Sequence, residues 1–138
     1  MVLSSTALEN MHAIDAAWNG RQWERYASFL ADDLEVQTAG EASSHGKRDH
    51  VEKARALCAA CPDAVVHSDP YIEFFTNAEG DKSCSVARIT GTLSGLPFET
   101  SFASICTWRD GQIVHQLQFI DTETAKRQVG AGEQAAEP

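Results

Sequence analysis

Asp121 closes the strand-like run Asp110-Gly111-Gln112-Ile113-Val114-His115-Gln116-Leu117-Gln118-Phe119-Ile120-Asp121. The run opens on Asp-Gly, a strong short hairpin signal, and continues as an extended apolar/polar segment. A carboxylate at the end of such a strand is costly to bury unless a partner pairs with it or a reaction uses it. In an apolar cavity its pKa would rise and it could exchange protons near neutral pH. The bland alternative is a solvated strand end, or a cap on the segment Thr122 to Gln128.

The other reactive residue types are less pointed. Cys58-Ala59-Ala60-Cys61 is a CxxC, but it ends an Ala-rich helical stretch. A redox pair sits at a helix N-terminus, which lowers the thiol pKa. No second CxxC or His pair completes a zinc set. Small apolar packing is the expectation for these two and for Cys84 and Cys106. His45 and His50 flank a polar loop and a helix start, where solvated side chains are expected. His12 lies beside an apolar helix face and could line a pocket; His67 begins a strand. His115 shares parity with Asp121 at a distance of roughly 20 Å along the strand, too far for direct cooperation. Neither a metal nor a cofactor is expected.

The elements that must position these residues can be read from periodicity. Leu8, Met11, Ile14, Ala17 and Trp18 recur at helical spacing, which predicts a helix from about Ser5 to Trp18 with Ser4 or Ser5 as its cap. Asn19-Gly20 breaks it. A second helix carries Trp23, Tyr26, Ala27 and Leu30 and ends at Asp32-Asp33. Leu34 to Thr38 alternates as a short strand, and Lys47 to Ala60 forms a third helix, closed by Pro62-Asp63. Four strands follow, at about 64–77, 82–94, 98–109 and 112–121, with connections short enough for an antiparallel meander. The expected architecture is α+β, one domain over residues 1–128, with a frayed tail at 129–138.

Composition narrows the function classes. The chain has 138 residues, 43% of them apolar, and a net charge of −9. One sizeable core is possible at this length. The acidity argues against nucleic acid and against anionic membranes. No run is long enough to cross a bilayer, and the start, Met1-Val2-Leu3-Ser4-Ser5, lacks the pattern of a secretory signal. A cytoplasmic protein is expected.

Trp18-Asn19-Gly20, Phe29-Leu30-Ala31-Asp32-Asp33-Leu34-Glu35-Val36, and Asp110-Gly111-Gln112-Ile113-Val114 with its terminal Asp121 resemble the nuclear-transport-factor-2-like superfamily. Asp121-Thr122 followed by Arg127-Gln128-Val129-Gly130 is similar to the SnoaL-like group of polyketide cyclases. The resemblance spans about residues 8 to 130. It implies a curved antiparallel sheet which, with the helices, forms a cone-shaped pocket (a cystatin-like α+β barrel). It also implies a homodimer through the outer sheet face, an apolar polycyclic or polyketide-like ligand, and no cofactor. Fold alone does not choose among the superfamily's cyclases, isomerases, dehydratases, epoxide hydrolases and binding proteins.

Carried over residue by residue, the resemblance makes Asp121 the general acid/base of a ring closure. Thr107 stands where the cyclases have an assisting His. Ala13 and Thr38 stand where a ketosteroid isomerase has its Tyr and Asp. An epoxide hydrolase-like ring opening would use Asp121 with Arg88, with Thr90 in place of that mechanism's second Asp. A simple hairpin register pairs Ala103 with both Gln118 and Arg88, leaving Arg88 and Asp121 on the order of 14 Å apart, on opposite faces unless a bulge intervenes. The same register sets Tyr71 near Arg88 and Asp69 near Thr90. Trp18, Phe29, Tyr71, Phe102 and Phe119 are the expected ligand-contacting aromatics. A non-catalytic ligand-binding or dimerisation module is the alternative to an enzyme.

Overall fold

The computed structural model describes residues 6–124 and 126–128. The expected tail, 129–138, and the expected caps Ser4 and Ser5 lie outside these. Helix α1 (Ala7–Asn19) is capped by Thr6, whose hydroxyl accepts the Glu9 N–H at 3.1 Å; this satisfies one of the free N–H groups of the first turn. Gly20 ends the helix by donating its N–H to Ala16 O at 2.9 Å. Arg21 then takes a left-handed turn (φ 57°). Its guanidinium donates to Trp18 O, Pro62 O and Ala64 O, tying the end of α1 to the chain that follows the third helix.

Helix α2 (Trp23–Ser28) is shorter than its apolar spacing predicts. Leu30, Asp32 and Asp33 belong instead to strand β1 (Leu30–Thr38), where Leu30, Leu34 and Val36 are buried. Sheet pairing outweighs the local helical pattern here, because β1 hydrogen-bonds along β6. Helix α3 (Lys47–Ala60) has the predicted limits.

The predicted strand 64–77 is two strands, β2 (Val65–His67) and β3 (Glu73–Thr76), interrupted around the cis Asp69–Pro70 bond. Strands β4 (Lys82–Leu93), β5 (Leu96–Arg109) and β6 (Gln112–Ile120) form the meander. The sheet order is β1-β6-β5-β4-β2, with β3 also on β4. Its two ends do not pair, so the curved sheet stays open rather than closing as a barrel. It is also not wholly antiparallel. β1 runs parallel to β6, which the long connection through α3 and the meander permits.

Two turns set the register. Asp110 and Gly111 have φ 53° and 78°, the primed hairpin geometry, and Arg109 faces Gln112 as expected. A bulge then skips Val114, so Ala103 faces Phe119 instead of Gln118. The other turn is Ser94-Gly95, not Gly95-Leu96, and Arg88 faces Ser101 instead of Ala103. On β2, His67 faces Arg88 and Val65 faces Thr90, the places expected for Tyr71 and Asp69.

The core lies between the inner sheet face and the helices. It includes Met11, Ile14, Ala17 and Trp18 of α1, Tyr26, Leu30, Val36, Ile89, Cys106 and Ile113. Cys58, Cys61 and Cys106 are buried free thiols, in keeping with packing. Among the described residues, no helix is long and apolar enough to cross a membrane.

Candidate functional site

The sheet's curvature and the three helices leave a cavity of about 180 Å³. Met11, Ile14 and Trp18 of α1, Tyr26 of α2, Ala54 and Leu57 of α3, and Ile89, Phe102 and Ile113 of the sheet give it apolar walls. Its polar groups are few: Asp15, His50, Lys53, Ser104, Gln116 and Gln118. An apolar pocket with a few convergent polar groups is the common form of a small-molecule site.

Among the described residues, Asp15 is the only carboxylate lining the cavity. It sits one turn beyond Met11 and one before Trp18 on the buried face of α1, and is 5% exposed. The Tyr71 hydroxyl donates to its Oδ2 at 2.6 Å. Burial pushes the Asp15 carboxyl up to about 6, against the opposing pull of the Tyr71 hydrogen bond and of nearby His12. Burial and the Asp15 charge hold Tyr71 protonated, well above the ordinary phenol range. Tyr71 is itself fixed by His12, whose ring stacks on it at 5.1 Å and 2°, and by Phe74 at 5.4 Å. His12 Nε2 bonds Ser68 O at 2.9 Å. The carboxylate therefore has a set orientation, one engaged oxygen, and a proton affinity suited to exchange near neutral pH.

The second polar group is His50, in the first turn of α3. It is 7% exposed, which corrects the expectation of a solvated side chain. Its Nδ1 lies 2.9 Å from His45 Nε2, and its ring stacks with Tyr26 at 6.2 Å. Burial, with the charges of His45 and Lys53, lowers its pKa to about 4. On the sheet side, Gln116 Nε2 donates to Ser104 Oγ at 3.2 Å, and Gln118 Nε2 donates to Thr38 Oγ1 at 2.8 Å.

The residues expected from sequence are placed unevenly. Trp18, Phe102 and Phe119 line the cavity, Phe119 with 45% of its surface exposed. Tyr71 reaches the site by holding Asp15. Phe29 packs against the core without lining the cavity. Asp121 is exposed and caps the segment after β6: its carboxylate accepts from Thr124 N–H at 2.9 Å and from Thr124 Oγ1 at 2.5 Å. These bonds hold its carboxyl below the usual range, where a buried acid/base would be raised. Arg88 is exposed and ion-paired with Glu99. The two register shifts do bring Arg88, Ser101 and Asp121 into one row, with Asp121 N–H reaching Ser101 O at 3.3 Å. Yet each charged side chain has its own neighbour. His67 bonds Thr90 Oγ1 at 2.7 Å, and His115 is on the exposed face. Among the described residues, no three His, Cys, Asp or Glu side chains converge as a metal set would.

Asp15 was absent from the sequence-derived candidates. Its signal was present: Met11, Ile14, Asp15 and Trp18 follow the i, i+3, i+4, i+7 spacing of one helix face, so a carboxylate stands inside an apolar stripe.

An open, curved α+β sheet with helices over an apolar cavity defines the nuclear-transport-factor-2-like class. Residues 9–129 match the model of the SnoaL-like polyketide cyclases, and the chain belongs to that family. The solved structures it resembles include IdmH of Streptomyces antibioticus, with 20% identity over 88% of this chain and 96% of that one and a TM-score of 0.78. A LEH-like epoxide hydrolase of M. tuberculosis follows at 16% identity, over 94% and 92%, with a TM-score of 0.74. A protein of ketosteroid isomerase-like fold from Catenulispora acidiphila, solved with trimethylamine, shares 19% identity over 91% and 95%, with a TM-score of 0.75. At these identities the likeness concerns the fold. A search among curated proteins found no match.

Proposed function

We propose that the chain is a cofactor-independent acid/base enzyme acting on an apolar polycyclic or polyketide-like molecule, with Asp15 as the group that moves the proton. The observation that carries this reading is a carboxylate buried in an apolar cavity, raised to about 6 and oriented by Tyr71. Near neutral pH it is mostly ionised and can accept a proton from an acidic C–H bond. Its conjugate acid is strong enough to return it. Ring closure and isomerisation both need this step. Family membership favours cyclisation. Asp121 is assigned the role of a cap, and Arg88 that of a surface ion-pair partner.

The outer sheet face supports pairing of two copies. The register lines up Phe75, Cys84, Ile105 and Leu117 across β3, β4, β5 and β6, next to Val86 and Ala103. Phe75 and Ile105 are 60% and 40% exposed, and contiguous apolar surface of this kind marks interaction sites.

Deuterium exchange at the α-carbon of 2-tetralone, an enolisable bicyclic ketone, tests the chemistry. The wild-type protein should accelerate exchange. Asp15→Asn should lose on the order of 100-fold or more, and Asp121→Asn should stay within a few-fold. Retained exchange in Asp15→Asn, or its loss in Asp121→Asn, would sink the assignment. Binding of the ketone without exchange in any form would favour the non-catalytic module.

A further inference from the structure

His50 and His45 form a pair that the proton transfer at Asp15 does not use. His50 Nδ1 is engaged by His45 at 2.9 Å, so Nε2 is its free nitrogen. His50 is 7% exposed and lines the cavity. Tyr26 stacks on the His50 ring at 6.2 Å, and the hydrogen-bonded His45 ring lies beside it, its plane at 23°. His45 is in turn anchored through its backbone, which bonds Val36 in both directions at 2.8 and 2.9 Å.

We infer that His50 is a second catalytic group, an imidazole whose Nε2–H donates to the carbonyl or enolate oxygen of the bound molecule, and that His45 is the positioning residue that sets its tautomer. One proton lies between the two rings. If His45 Nε2–H donates to His50 Nδ1, both rings keep the Nε2–H form that neutral histidine favours in water, and His50 presents a donor to the cavity. Burial and two neighbouring charges favour the neutral ring. Lys53 on its own helix and His45 on the preceding loop disfavour a second proton. Tyr26 from α2 stays a phenol, pushed up by burial and by Asp15 and Cys106.

The inference rests on the acid/base reading of Asp15. In the step it completes, the Asp15 carboxylate takes the α-proton and the C–H electron pair becomes a C=C bond. The carbonyl π pair moves to oxygen, and His50 Nε2–H holds the resulting charge while keeping its own proton. The substrate class is thus an enolisable carbonyl compound. A neutral imidazole suits this role, because its donor strength matches an enolate more closely than an imidazolium does.

The test is long-range proton–nitrogen NMR of the intact labelled protein, first alone and then with 2-naphthol as an enolate mimic. His50 should be neutral from pH 5 to 8 with its proton on Nε2, and naphthol should shift that nitrogen. His45→Ala should mix the tautomers and weaken naphthol several-fold, with His45→Gln restoring both. His50→Phe, which keeps a ring against Tyr26, should weaken naphthol about ten-fold, and His50→Gln should recover part of it. An unprotonated Nε2, a charged His50 at pH 6, or a nitrogen indifferent to naphthol would overturn the inference. The wild-type readings stand even if a variant fails to fold. The two readings fail separately: exchange of 2-tetralone lost in Asp15→Asn with His50 silent removes only His50. A responsive His50 with exchange indifferent to Asp15 removes the proton-transfer role and leaves an oxygen-binding site.

Discussion

Asp15 keeps its proton to about pH 6 in the fold, against an ordinary 3.8, and His50 gives its proton up until about pH 4, against 6.5. The two shifts act on stability in opposite directions. For Asp15 the folded state binds the proton more tightly than the unfolded chain, so stability falls as pH rises from 3.8 to about 6 and stays reduced above it. For His50 the unfolded chain binds the proton more tightly, so stability falls as pH drops from 6.5 to about 4. Each of the two shifts corresponds to roughly 3 kcal/mol. Urea titrations from pH 4 to 7 should show Asp15→Asn gaining about that much on wild type as pH rises, while His50→Gln loses its acid-side decline. Parallel profiles for all three would contradict the burial of both groups. Both were within reach of the sequence. His50 shares a helix face with Ala54, Leu57 and Cys58, as Asp15 does with Met11, Ile14 and Trp18. A polar side chain on a buried stripe is easily mistaken for a surface one, because periodicity does not say where the stripe ends or what cavity it faces.

At the scale of elements, the end of α1, the span of α3 and the Asp-Gly hairpin follow from local signals: Gly20 closing α1, the unchanged limits of α3, the primed turn at Asp110-Gly111. What local signals do not contain is the bulge at Val114 and the parallel pairing of β1 with β6. Both depend on long-range contacts, and a single-residue slip turns every side chain of a strand to the other face. Side chains also stand in for strand neighbours. Asn19 gives its Nδ2–H to Val66 O at 2.9 Å and accepts Val66 N–H at 2.8 Å. It thereby joins the end of α1 to β2, where Val66 lines the cavity. Asn19→Ala leaves two backbone groups without partners and should cost about 2 kcal/mol by urea unfolding. No loss would mean that water replaces both bonds.

For the whole molecule, the open sheet presents one face to the helices and cavity and the other, with Phe75 and Ile105, to the outside. Light scattering should give twice the chain mass, and Ile105→Glu should reduce it to one copy with the cavity intact. A single-chain mass for the wild-type protein would remove the pairing. The family was legible in short motifs spread from Trp18 to Asp121, because those motifs mark turns and strand ends shared by the fold. The place of Asp15 in the cavity was not, because a fold's recurring motifs do not say which side chain enters it.

The most direct measurement is a carboxyl-carbon NMR titration of Asp15 in the intact protein, with and without 2-naphthol. A midpoint near 6 that moves when naphthol binds, alongside an Asp121 midpoint below the ordinary carboxylate value, is the expected result. An Asp15 midpoint at the ordinary value of about 3.9, unmoved by naphthol, would contradict the proposal that Asp15 does the chemistry.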